Sequence, residues 1–176
     1  MKQKRFKLAI LLTLLLGCVI TYGQGTLGPT PKKVRTPDDY KSRSMKEVSA
    51  RDIEKLSPGD TDKVILRGDI LPSRVRLTYA ARARLLPQAK KDVLSRWARL
   101  YAGAPEHYTE PYETELLFRE GRTDYWVAVR KQAKAQFERE VKIRMTVDLY
   151  LIRLGWARTG TEWEPLILME SSQRPK

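Results

Sequence analysis

From Val75 to Leu85 every odd position is apolar: Val75, Leu77, Tyr79, Ala81, Ala83 and Leu85. Arg76, Thr78, Ala80, Arg82 and Arg84 fall between them. Successive side chains of a strand point to opposite faces, so this alternation makes a strand with one side on a core and the other in water. A helix would leave Leu77 off its apolar stripe and bring arginines into it. A strand is therefore the better assignment, and the rest of the chain must supply partners for it.

The partners are legible on both sides. Val64-Ile65-Leu66, followed by Gly68 and Pro72, leads into the strand. After Pro87, Val93, Leu94, Trp97, Leu100 and Tyr101 recur at helical spacing, and Gly103 and Pro105 stop the helix. Glu115–Phe118 and Tyr125–Val129 flank a short connection that contains Gly121, which predicts a hairpin. Lys131–Val141 consists almost wholly of helix formers, with Ala133, Phe137 and Val141 at i, i+4 and i+8. The same stretch also carries a two-residue period, but no Gly, Pro, Asn or Asp between Trp126 and Met145 supplies a tight turn, and a helix is the better assignment. Thr146–Leu154 and Trp163–Met169 are strands joined through Thr159-Gly160-Thr161.

The expected fold is α+β: a single small domain over 64–170 with a curved antiparallel five-stranded sheet and two packed helices in the order β-α-β-β-α-β-β. If the sheet closes, the helix between its third and fourth strands resembles the arrangement in OB-folds. If Arg130–Arg144 is strand instead, the bent sheet resembles a cystatin or nuclear-transport-factor-like cone. Residues 171–176 form a polar tail expected to fray.

Upstream of this domain the character changes. Lys2, Lys4, Arg5 and Lys7 precede an apolar run from Leu8 to Leu16, and small residues follow at Gly17, Gly23 and Gly25. Positive charge, an apolar stretch and small residues in that order are the requirements of a secretory signal, so residues 1–25 predict export. Three outcomes stay open. Leu15-Leu16-Gly17-Cys18 resembles a lipobox, which makes Cys18 a candidate lipid-bearing residue. Cleavage after Gly23 or Gly25 is the second. An uncleaved anchor is the third, although Leu8–Tyr22 is shorter than the roughly 20 apolar residues that span a bilayer. The expected location is accordingly periplasmic, membrane-anchored or extracellular. Residues 26–63 read as a linker, with Pro29, Pro31 and Pro37, that holds one short helix. Ser44 and Glu47 have capping-box spacing for that helix, and Val48, Ile53 and Leu56 give it a thin apolar face ending at Ser57-Pro58-Gly59.

Cys18 is the only cysteine and His107 the only histidine. An intramolecular disulfide and a thiolate zinc site are excluded, no cofactor or metal is expected, and the domain must rest on its hydrophobic core. The chain carries 34 Lys and Arg against 21 Asp and Glu, a net charge of +13. Four of those cations lie in the leader, which leaves 30 against 21, or +9, for the rest. A basic exterior favours anionic partners: for an exported protein an envelope lipid, a glycan or another protein, ahead of nucleic acid.

The densest basic patch holds Arg74, Arg76, Arg82 and Arg84 on the strand and Lys90, Lys91, Arg96 and Arg99 on the helix, with Asp92 the only acid between 74 and 99. Guanidinium groups suit bidentate contacts with phosphate or carboxylate, so these eight are the anion-binding candidates, to be weighed against a solvated face paired with acids elsewhere. Glu113 and Glu115 share one side of a strand, and a hydrolase would need such carboxylates to line a cleft. Arg67-Gly68-Asp69 matches an integrin-binding tripeptide but also an ordinary turn, and His107, Tyr108 and Tyr112 form an aromatic loop suited to a sugar or peptide. No phosphate loop, nucleophile elbow or zinc-protease motif is present. The expectation is a non-enzymatic binding or structural domain, with an anionic envelope component or other polyanion as ligand; the alternative class is a hydrolase using Glu113 or Glu115.

Overall fold

The computed structural model describes residues 35–50, 64–66, 70–102 and 111–175. The leader with Cys18, the Arg67-Gly68-Asp69 tripeptide, and His107 and Tyr108 lie outside them. The fold is α+β, a mixed sheet with three helices. The strands are β1 (Lys41–Ser42), β2 (Val64–Leu66), β3 (Ser73–Leu85), β4 (Tyr112–Glu120), β5 (Thr123–Arg130), β6 (Thr146–Thr159) and β7 (Glu162–Gln173). The helices are α1 (Met45–Ser49), α2 (Gln88–Ala102) and α3 (Lys131–Glu140).

The sheet order is β1-β3-β4-β5-β7-β6-β2, with a further pairing of β3 to β6. It corrects the expectation of five antiparallel strands and two helices. Two short strands are added at the flanks, and β1 on β3 and β5 on β7 are parallel. The second of these follows from connectivity, because α3 and β6 intervene between β5 and β7 and return the chain in the same direction. β3 pairs two neighbours in succession: Ser73–Thr78 lies on β6 and Thr78–Leu85 on β4. The ladder thus comes back on itself, but not as a clean five-stranded barrel, since β5 and β7 meet in one register pair, Ala128 with Leu168.

Two cores lie on the two faces of the long strands. One gathers Val75, Leu77 and Tyr79 of β3 with Leu116, Phe118, Val127, Val129, Val147, Leu149, Leu151, Ile167 and Met169. Phe137 and Val141 of the α3 segment close into this core, with the Phe137 ring 5.2 Å from Tyr79 and 5.7 Å from Phe118. That burial accords with a helix over Lys131–Glu140: strand alternation with Phe137 inward would bury Arg139 as well, whereas the helix buries Phe137 alone of its ten residues. The second core is built by α2, whose Val93 and Leu94 pack with Leu86, Tyr112, Ile152, Leu154, Ala157, Leu166 and Leu168.

The alternation of β3 holds as expected through Tyr79, then changes meaning. Five residues of β3, from Tyr79 to Ala83, stand against three of β4, from Phe118 to Leu116, and Ala81 at the bulge has φ of +51°. Past this bulge the strand outruns the core. Ala81 and Ala83 are exposed, and Leu85 is 80% exposed, so these three are not core residues.

The segment expected as linker is built into the domain from residue 35 to 50. Arg35 makes two hydrogen bonds to Glu170, at 2.7 and 2.9 Å, and Tyr40 donates to the same carboxylate. β1 lies beside Ser73 and Arg74, on the flank of β3 that β4 does not reach. The Ser44/Glu47 capping box forms and α1 runs to Ser49, with Ala50 as its C-cap; Ile53, Leu56 and the expected stop at Ser57-Pro58-Gly59 lie outside the described residues. Met45 and Val48 are fully buried, so one short turn gains from tertiary packing what its length denies it. At the other end β7 runs on to Gln173 instead of fraying after Glu170, because Tyr150 donates to the Gln173 side chain and Arg174 to the Glu140 carbonyl. No helix among the described residues is long and apolar enough to cross a membrane.

Candidate functional site

The eight basic candidates fall into three groups. Arg84 and Lys90 are consumed by an internal ionic cluster between α2 and the sheet. Arg84 Nε donates to Glu115 Oε2 at 2.7 Å and also pairs with Glu164. Lys90 Nζ lies 2.6 Å from Glu115 Oε1 and 2.9 Å from Glu164 Oε2. The Lys90 side chain is 1% exposed and that of Glu115 0%. Thr159 donates to Glu164 at 2.6 Å, and the Arg84 guanidinium lies 4.4 Å from the centre of the Trp126 ring. Burial pushes the Glu164 carboxyl up, but the hydrogen bonds from Arg84 and Thr159 and the Lys90 ammonium outweigh it and hold the group down at about 2 instead of 4.5. Two cations and two carboxylates neutralise each other here, so this cluster fastens α2 to the sheet and offers no net charge to a ligand.

Glu115 is committed to that cluster. Glu113, exposed, pairs instead with Lys131 at 3.1 Å. The two carboxylates thus have separate cationic partners, and neither lines the hollow of about 300 Å³ formed by Pro111, Arg130, Lys131 and Gln132.

A second group is spread over solvent. Lys91, half-buried, and exposed Arg96 and Arg99 lie on α2, while exposed Arg82 lies near enough to Asp124 to help lower its pKa, after the stronger hydrogen bond from Arg119.

Arg74 and Arg76 form the third group, and the structure gives them company. They line a hollow of about 380 Å³ with Pro37, Asp148, Tyr150, Gln173 and Arg174. β3 and β6 place them: Arg76 is in register with Asp148, and Arg74 with Tyr150. On β6 and β7, Asp148 is in register with Gln173. Arg76 donates through Nε at 2.8 Å and Nη2 at 3.1 Å to the two Asp148 oxygens, and those hydrogen bonds hold the Asp148 carboxyl below its ordinary range. Tyr150 Oη donates to Gln173 Oε1 at 3.0 Å, and its ring packs edge-on against Tyr40, 5.1 Å away. Arg174 Nη2 donates at 3.0 Å to the Glu140 carbonyl in the last turn of α3, where the helix dipole favours a cation. Arg74 has no ion-pair partner among the described residues. The lining carries three guanidinium groups against one carboxylate, and that carboxylate is already taken.

Sequence reasoning found Arg74 and Arg76 but missed Asp148, Tyr150, Gln173 and Arg174. Asp148 and Tyr150 lay in the Thr146–Leu154 strand, from which no candidate was drawn, and Gln173 and Arg174 in a stretch read as tail. Asp148 inside the otherwise apolar run TVDLYLIRL was the available signal, because a lone acid in a strand needs a cation opposite it. Among the described residues no group of three or more His, Cys, Asp or Glu is placed to hold a metal ion. No protein-family model matches this chain, and no match was found to a curated protein or a solved structure.

Proposed function

We propose that this chain is an exported protein whose domain binds an anionic component of the cell envelope through the hollow lined by Arg74, Arg76 and Arg174, without catalysis. The single observation that carries the proposal is the charge balance of that hollow, three guanidinium groups around one carboxylate that Arg76 already pairs. Guanidinium groups in excess over acids attract anions, and a concave wall concentrates the field. Export rests on the order of charge, apolar run and small residues in 1–25. The scaffold in this proposal is an OB-like, incompletely closed sheet: the five long strands pair in the order β3-β4-β5-β7-β6 and back to β3, and α3 lies between β5 and β6, the third and fourth of them along the chain. The geometry adds no support to hydrolysis, since Glu115 is buried between Arg84 and Lys90 and Glu113 is held by Lys131.

Retention on an immobilised polyanion, eluted by salt, tests the binding. Arg74→Glu with Arg174→Glu should lower the eluting salt concentration markedly, while charge reversal at Arg96 and Arg99 should lower it only slightly. Equal losses from both pairs would mean that net charge alone, and not the hollow, governs retention.

A further inference from the structure

The polar atoms that line the hollow differ in kind, and that difference selects a ligand. The only carboxylate among the described lining residues, Asp148, has both oxygens engaged by Arg76. The amide oxygen of Gln173 is engaged by Tyr150 Oη. The donors that these bonds leave over are the whole guanidinium of Arg74, Nη1 of Arg76, Nε and Nη1 of Arg174, and Nε2 of Gln173. They come from β3 and from the end of β7, the two neighbours of β6 at this level, and so approach from two sides. Pro37 adds a wall without a donor.

We infer that the hollow takes a phosphoryl group, on a soluble phosphoester or on a lipid headgroup, in preference to a carboxylate or a neutral sugar. This rests on the anion-binding proposal above and sharpens it. A planar carboxylate offers two oxygens in one plane, which two donors on one side satisfy. A phosphoryl group offers three or more oxygens in a tetrahedral arrangement and can meet donors from several sides at once. A neutral sugar carries no charge to balance the guanidinium groups, and the Asp148 and Gln173 oxygens that would receive its hydroxyl protons already accept from Arg76 and Tyr150. The volume of about 380 Å³ accommodates a phosphate with a small alcohol attached, not the anion alone.

The test is calorimetric titration of the full-length chain with glycerol 3-phosphate and with glycerate, its carboxylate counterpart, alongside binding to phosphatidylglycerol vesicles. The informative variants are Arg74→Gln and Gln173→Glu. The second keeps an oxygen facing Tyr150 and replaces the amide donor by an acceptor, and unchanged thermal unfolding shows that each variant is folded. Glycerol 3-phosphate should bind about tenfold or more tightly than glycerate, and each variant should weaken it about tenfold or more. Vesicle binding with the same variant dependence, and no binding of the soluble ester, would support the phosphoryl site with a lipid as its source. Glycerate binding as tightly, with the same dependence on Arg74, would overturn the phosphoryl preference and leave the anion-binding hollow standing. No variant-sensitive binding of any of the three would overturn both.

Discussion

Replacing Lys90 by methionine removes one member of the buried cluster and keeps nearly all of its length and apolar volume. Lys90 is 1% exposed and its partner Glu115 is fully buried, so the variant leaves two carboxylates, Glu115 and Glu164, with Arg84 alone. Breaking a buried pair by deleting one partner typically costs about 3–5 kcal/mol, because the other charge stays desolvated. A domain of this size has about 5–15 kcal/mol in all, so the loss is a large share of it. With a urea slope of about 1–3 kcal/mol per molar, the unfolding midpoint should fall by about 1 M or more. Glu115→Gln alone should also destabilise, by leaving Lys90 and Arg84 to share Glu164. The double variant restores balance around Arg84 and Glu164, so it should lose about 1–3 kcal/mol less than the sum of the singles. Strict additivity, or a Lys90→Met loss below about 1 kcal/mol, would refute the view that these four charges act as one buried unit. The sign of the acid response follows from Glu164. Its folded pKa, about 2, is below the ordinary 4.5, so its contribution is present above pH 4.5 and is lost as the pH falls from there toward 2.

Further outcomes are expected elsewhere in the domain. Leu85→Ser should change stability by no more than about 0.5 kcal/mol in the same urea assay, because the side chain is 80% exposed, whereas a core leucine would lose several times that. Arg153→Met removes donors to the Val48 and Ala50 carbonyls and the guanidinium packed 4.6 Å from the centre of the Trp156 ring; it should cost about 2 kcal/mol or more and expose the amides of α1 to faster hydrogen exchange. Burial, with Glu170 adding to it, pushes the Tyr40 phenol up to about 12 from 10, so its contribution is complete below pH 10 and lost as the pH rises toward 12. Thermal unfolding across that interval should show the loss in the native chain and less of it in Tyr40→Phe.

Much of the fold could be read from spacing alone. The period of two in Val75–Tyr79, the helical period in Val93–Tyr101 and the lack of turn residues before Met145 locate β3, α2 and α3, because each pattern reflects which side of one element is buried. What escaped is what depends on a second element. Nothing local tells that β3 gains two residues on β4 and leaves Leu85 outside, or that Lys41–Ser42 fills the flank of β3 that β4 leaves open. The site shows the same division. Eight cations were recognisable as a basic patch, yet their spatial partners Glu115, Asp148 and Glu164 decide which remain available, and those lie 25 to 80 residues away. Arg174 and Gln173 were hidden because a polar terminal stretch carries no periodicity, although the hydrogen bonds from Tyr150 and to Glu140 hold it in place.

The location of the anion site can be read directly from a nuclear magnetic resonance titration that follows the arginine side-chain Nε–Hε signals while an anionic oligomer is added. The account predicts that the signals of Arg74, Arg76 and Arg174 move together and saturate with one binding constant, while those of Arg96 and Arg99 stay nearly still. Movement led by Arg96 and Arg99, with Arg74 and Arg174 unmoved, would contradict it.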